Sequence, residues 1–461
     1  MVDMQSWLKK LTLGAVAFGA SWTGAVGYWR STNRLPGGAD LALWLVAVPV
    51  LLLLAAWGAH ALYRRAHARS ADAGNAAAPA AGAQTSAPAS APAAAAALAI
   101  VASAVRTPFG HTAADLRGAL AASEARPTLD AELEDADGYP VLTARIAGAD
   151  AEVAALRSAF AGSESQDIRF TDAQWRALAF ADAVLSELSD SLTSVDTANL
   201  PLLQLHPVWT DEWTPPQRAV ATGWLRSRLS AAGWPLDRIA GAPDHAGNDE
   251  AAALMEQLLN QAGEPLLAVV LACGSQLDTA TVDAMAAANT LFSARQPDGQ
   301  VPGEGACALL LADAESARLL AVDAETVPAL RALAHATLEQ SADTARQPDT
   351  QVLPTLLAQS LERARCTPGQ VVLASADGGR HPGRIRELMA LAGAQLPQLD
   401  PITDLARTGD AWAGCAPLAW LAALAVAADA AHEHHGAALC IGNLDPFRRD
   451  LAVVAATDFT Q

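Results

Sequence analysis

Five cysteines, Cys273, Cys307, Cys366, Cys415 and Cys440, could supply a nucleophile or a metal ligand. None stands in a CxxC pair, and most lie among apolar or small residues. That context favours buried free thiols over disulfides or zinc ligands. The odd number fits a reducing compartment. His432, His434 and His435 (HEHH) have the composition of a metal site. They close an alanine-rich helix, however, where imidazoles in solvent complement the C-terminal dipole. Asp244 and His245 precede a helical pattern at Ala251, and Asp410 precedes another at Ala411. Short polar residues at such places commonly cap helices. Trp209, Trp213, Trp224 and Trp234 could stack on a ligand, although packing within helices and strands is the plainer account.

The elements that must position these residues alternate in type. Short apolar runs of strand length are Leu98–Val105, Leu200–Val208, Pro265–Ala272 and Ala306–Ala312. Between them lie helical patterns with leucine pairs or N-terminal caps: the helix carrying Leu116 and Leu120, then Thr171–Leu192, Pro215–Ala232, Ala251–Ala262 and Thr279–Ala294, the last mostly helical with loop character at its end. After an irregular connection the pattern restarts. Helices are expected at Thr350–Ala364, Pro382–Ala392 and Ala411–Ala431, and strands at Gln370–Ser375, Ala437–Asn443 and Leu451–Thr457. Buried strands alternating with helices argue for an α/β sheet covered on both faces.

The 461-residue chain is 52% hydrophobic and only 17% charged, with a formal net charge of −19. An acidic body without a basic stripe excludes nucleic acid as a natural partner. Part of the apolar excess lies at the start. Leu41–Leu62 is long enough to cross hydrocarbon, with Trp44, Trp57 and Tyr63 as interfacial aromatics. Leu11–Tyr28 is a second, weaker span with Gly14, Gly19 and Gly24 for close packing; a cleaved signal peptide is its other reading. Lys9, Lys10, Arg64, Arg65 and Arg69 outnumber Arg30 and Arg34 in the loop, which places both ends on the cytoplasmic side. Ser70–Ala97 is alanine, proline, serine and glycine, and reads as a flexible spacer. The expected organisation is therefore a two-helix transmembrane hairpin (1–69), a linker (70–97) and a body in two halves (98–325 and 326–461).

The string Asp298–Asp313 (DGQVPGEGACALLLAD) joins a polar turn to a glycine-rich loop and a strand buried on both faces. It resembles the PGEGA segment of the β-ketoacyl synthases, in the thiolase superfamily. Thr107-Pro108-Phe109-Gly110 before its helix looks like the family's first strand–loop–helix. The resemblance covers roughly Leu98–Thr457 and implies a five-layered α/β/α/β/α body of two duplicated halves, which usually dimerises through an edge strand.

The same resemblance implies where chemistry should sit. Condensing enzymes place a cysteine at a helix N-terminus, where the dipole favours thiolate and backbone N–H groups stabilise an oxyanion. The corresponding stretch Ala242–Glu250 holds neither cysteine nor serine; Asp244 or His245 stands nearest. The family's HGTGT loop falls at Ser375-Ala376-Asp377-Gly378-Gly379, without a histidine; His381 follows at a helix start. The KSxxGH motif falls at Leu405–Asp410, keeping Gly409 and replacing histidine by Asp410. Asp244, His245, Asp377 and Asp410 could form a new acid–base site, but helix capping outweighs that reading. The expectation is a membrane-anchored ketosynthase-like protein with degenerate catalytic positions, no cofactor and no metal. It would act as a homodimeric scaffold for protein partners in a bacterial inner-membrane assembly, such as a secretion system. The alternative is an acyltransferase or acyl-carrier-binding protein of lipid or polyketide metabolism.

Overall fold

A computed structural model describes residues 97–135, 137–160, 168–190, 197–241, 245–247, 250–320, 326–344, 349–409 and 416–457. The expected membrane hairpin, all of the spacer but Ala97, and Asp244, Asp410 and Cys415 lie outside the described residues. Among those described, no helix is long and apolar enough to cross a membrane.

The apolar runs form strands as their patterns predict. In the first half, β1 (Leu98–Arg106) leads through a Thr112–Asp115 capping box into α1 (Ala113–Ala121). A hairpin follows, β2 (Thr128–Glu134) and β3 (Pro140–Thr143), then α2 (Asp150–Phe160) and α3 (Asp172–Asp190). The predicted cap at Thr171 forms: its Oγ1 accepts from the Gln174 N–H at 3.1 Å, and the Gln174 side chain accepts from the Thr171 N–H at 3.0 Å. Next come β4 (Leu203–Trp209), α4 (Pro215–Ala231), β5 (Ile239–Ala240), β6 (His245–Ala246), α5 (Glu250–Gln261), β7 (Leu267–Ser275), α6 (Thr279–Ala287), β8 (Glu304–Ala312) and α7 (Ala314–Leu320). The second half holds β9 (Val327–Thr337), α8 (Val352–Ala364), β10 (Val371–Ala376), α9 (Pro382–Gln395), β11 (Leu405–Arg407), α10 (Ala416–Glu433), β12 (Ala437–Gly442) and β13 (Arg448–Thr457).

These strands build a mixed α/β fold around one large sheet, with β2 and β3 pairing separately. The sheet runs β11-β10-β12-β13-β9-β1-β8-β7-β4-β5, with β6 beside β4. Taken in their own chain order, the strands of each half follow one arrangement: third, second, fourth, fifth, first. In each half the fifth strand, β8 or β13, is antiparallel to both neighbours. The other neighbours within a half are parallel. The two halves join at one short antiparallel seam, Leu98↔Leu330 and Ala99↔Ala329.

Strand alternation explains how this sheet is covered. Ala268, Val270 and Ala272 of β7 enter one core, while Leu267, Val269, Leu271 and Cys273 enter another with α2, α3 and α4. In β13, Ala452 and Val454 join the first of these cores, and Leu451, Val453 and Ala455 face a third core with α8 and α9. The shared core contains α5 and α10, and α10 packs on strands of both halves. A helix apolar on every side must be buried; the alanines of α10 meet that condition while letting strands of both halves approach closely.

Four differences from the sequence pattern have physical causes. β9, VPALRALAHAT, is alanine-rich and carries Arg331 and His335, so its strand identity comes from pairing with β13 and β1. The acidic β2 and the helix α2 carry few large apolar residues. The helix beginning at Thr279 ends at Ala287, and Ala288–Gln300 is loop and turn apart from an isolated bridge between Leu291 and Gln300.

Candidate functional site

The PGEGA segment is a structural joint. Glu304 is fully buried and accepts from the Ile146 N–H at 2.8 Å, from Arg176 Nε and Nη2 at 2.6 Å each, and from Ser275 Oγ at 3.1 Å. One carboxylate thus ties α3, β7, β8 and the segment after β3. Glu304 and Asp150 stabilise the charged Arg176 guanidinium against the cost of its own burial. At the next residue, a side chain on Gly305 would collide with the Arg106 carbonyl oxygen, so glycine permits the close β1–β8 approach.

In the first half, β6 places His245 beside Val208 of β4. His245 Nε2 lies 3.2 Å from His206 Nδ1, and His206 Nε2 lies 3.0 Å from Gln204 Oε1. With the glutamine oxygen accepting, His206 carries its proton on Nε2 and receives one from His245 Nε2. His245 Nδ1 then faces Glu250 Oε2, 3.6 Å away at the start of α5. Burial, helped by the neighbouring His245, lowers the His206 imidazole to about 4, so His206 stays neutral. The series fixes the His206 tautomer and orients the His245 ring. Sequence reasoning found His245 and missed His206, whose one signal was a histidine inside a buried-strand pattern.

In the second half, Ser375 and Asp377 lie at the end of β10. Ser375 pairs with Ala406 of β11 and Cys440 of β12. Its Oγ is buried and finds no hydrogen-bond partner among the described residues. Asp377 Oδ1 accepts the N–H of Asn443 at 2.6 Å and of Leu444 at 2.9 Å, which fastens the loop between β12 and β13. Burial pushes the Asp377 carboxyl up to about 7 and Asp450 adds to the rise; the two N–H bonds and Arg384 oppose it. Thr408 Oγ1 reaches the carbonyls of Ala376 and Ala419 at 3.0 and 3.1 Å. A side chain on Gly409 would strike the Asp377 carbonyl and Gly378, which accounts for the glycine left in that motif. No described hydrogen bond or ion pair joins His245 to Ser375 or Asp377.

Gly379, Arg380 and His381 border a polar cavity of about 360 Å³ that also meets the loop from Asn289 to Gln300. His381 caps α9, its Nδ1 accepting from the Gly383 N–H at 3.3 Å. Arg384 pairs with both oxygens of Asp343 at 2.7 and 2.9 Å. The Arg380 guanidinium lies 5.6 Å from the Phe292 ring centroid.

The described thiols are poor nucleophiles. Burial pushes the Cys273 thiol up to about 12 and raises Cys307 and Cys440 far above the usual thiol range, Asp377 and Asp450 adding to the rise at Cys440. Cys366 is half-buried and also raised by burial. At the HEHH segment the His432 and His435 rings lie 6.5 Å apart. Among the described residues no group of three histidines, cysteines or carboxylates could hold a metal ion.

No protein-family model matches the sequence, and no curated protein matches it. Solved structures do. The ishigamide ketosynthase/chain length factor has a TM-score of 0.50 at 15% identity, over 78% of this chain and 99% of that chain. The ketosynthase from module 6 of the bacillaene synthase of Bacillus subtilis 168 has 0.54 at 14%, over 78% and 72%. The ketosynthase from module 1 of the bacillaene synthase of Bacillus amyloliquefaciens FZB42 has 0.50 at 12%, over 78% and 72%. At such identities the shared property is the fold: the chain carries the fold of these ketosynthases.

Proposed function

We propose that this protein is a catalytically silent relative of the ketosynthases that serves as a scaffold or accessory component of a bacterial envelope assembly, with a secretion system as one such machine. Its body is a duplicated five-layered α/β/α/β/α unit that forms a homodimer in the cytoplasm. Spans at 11–28 and 41–62 anchor it in the inner membrane, where tethering raises the local concentration of partner sites. The carrying observation is the mismatch between fold and nucleophile. The stretch Ala242–Glu250 has neither cysteine nor serine, and Cys273, Cys307 and Cys440 are fully buried with thiols pushed away from thiolate. Two-step condensation requires an acyl-enzyme, and positioning alone does not make one. A second reading is an acyltransferase or acyl-carrier-binding protein, which a hydrophobic pocket with an arginine-lined entrance would favour; the cavity beside Arg380 and Arg384 has the arginines but a polar lining.

The test is incubation of the full chain, in detergent, with an acyl-thioester donor, read by intact mass. No stoichiometric adduct is expected. Acylation that disappears on substituting Asp244, His245 or Asp410 by alanine would overturn the silent reading. Saturable acyl-thioester binding without an adduct would favour the carrier-binding alternative.

A further inference from the structure

A second cavity, about 420 Å³, lies between the β2–β3 hairpin and the loop after α6. Its apolar lining includes Leu129, Pro140, Val141, Leu142, Leu291 and Phe292. The apolar surface does not stop at the cavity mouth: Leu129 and Tyr139, which also line it, are 67% and 68% exposed. Exposed apolar area continuous with a groove marks an interaction surface more than an isolated surface leucine does. The hairpin is a two-stranded sheet, resting on a small core of Leu133, Val141, Val282 and Met285. Two strands alone are marginally stable in water.

The charge around this groove has one sign in excess. Glu132, Glu134, Asp135 and Asp137 lie along β2 and its turn, and all but the half-buried Asp135 are exposed. Arg145 pairs with the buried Asp130 at 2.8 Å and also reaches the exposed Glu132 at 3.3 Å, a contact that, like that of Arg295, a competing cation can displace. Arg295, 91% exposed, reaches Asp137 at 3.5 Å, an exposed pair of little strength that water or a competing cation displaces.

We infer that this groove docks an extended segment of a partner protein in which large apolar residues alternate with lysine or arginine. The apolar side chains seat between Leu129, Tyr139 and Phe292, and the basic ones face Glu132, Glu134 and Asp137. Apolar anchors supply affinity, while complementary charge supplies orientation and association rate. The inference goes beyond the proposed function and does not depend on catalytic silence, since the groove shares only the loop after α6 with the cavity beside Arg380 and none of the degenerate catalytic positions.

Two fluorescent peptides test it on the full chain in neutral detergent: one alternating phenylalanine and valine with lysine, the other with glutamate replacing lysine. Saturable binding of the lysine peptide is expected by anisotropy, with little binding of the glutamate peptide. Leu129→Ser combined with Tyr139→Ser should weaken the lysine peptide about tenfold or more, as loss of interface anchors does. Both side chains are mainly exposed, so the substitutions do not empty a core. General attraction of a cation to an acidic body would be indifferent to them. Asp137→Lys should weaken binding and flatten its salt dependence. Unchanged affinity in the serine variant, or equal binding of the glutamate peptide, would overturn the inference. It also fails if the serine substitutions dissociate a dimer, which would make a second copy the occupant. Deletion of 70–97 that alone strengthens peptide binding would assign the groove to the chain's own spacer.

Discussion

Asp377 and His206 are buried, and they link stability to pH in opposite senses. The folded-state Asp377 carboxyl titrates near 7 instead of near 3.8. Its contribution is therefore complete below about pH 4 and is lost as pH rises through 7, by at most about 1.4 kcal/mol per pH unit. His206 titrates near 4 instead of 6.5, so its contribution is present above pH 6.5 and is lost as pH falls through 4. Asp377→Asn keeps an oxygen to accept from Asn443 and Leu444 while removing the ionisation. Denaturation midpoints between pH 5 and pH 8 should consequently decline less in the variant, whose advantage over the parent grows with pH. An advantage independent of pH would show that Asp377 ionises normally. At this scale the sequence was partly legible. A carboxylate between a strand and two glycines already marked a loop of interest, because polar residues there are exposed or fastened by hydrogen bonds. His206 stayed hidden, because an apolar run gives no hint that a second imidazole crosses from a neighbouring strand to satisfy it.

Elements are held by contacts that join residues far apart in sequence. Glu304 announced itself within PGEGA, yet its partner Arg176 lies 128 residues earlier on α3, where it passes for an ordinary polar position of an amphipathic helix. Breaking a buried pair leaves one charge uncompensated. Arg176→Met should therefore cost about 3–5 kcal/mol in denaturant unfolding. Glu304→Gln in the same chain should recover much of that loss, since both charges then disappear together. Purely additive costs in the double variant would mean that the pair is not the joint described. The same non-local dependence explains β9. Nothing in VPALRALAHAT prefers a strand, but the open edges of β1 and β13 fix one there. The strands rich in valine and leucine, such as β7 and β8, needed no such help to be read.

Over the whole molecule, the repeated strand order is visible only once pairing is known, because the two halves share topology and not sequence. They are not independent in packing. α10 comes from the second half, yet Leu418, Leu421 and Val426 are fully buried in one core with Val270 of β7 and Leu309 of β8. The first half thus completes its core with a helix that follows it in the chain by about a hundred residues. Such a contact makes unfolding one cooperative event, since neither half can expose α10 without exposing the other. Leu421→Ala, a cavity in the shared core, should cost about 2–5 kcal/mol. The decisive readout is its distribution. Native-state hydrogen exchange should show the amides of β7 in the first half and β12 in the second losing protection together and by similar amounts. If β12 loosens while β7 keeps its protection, the halves fold as separate units and α10 belongs energetically to the second alone.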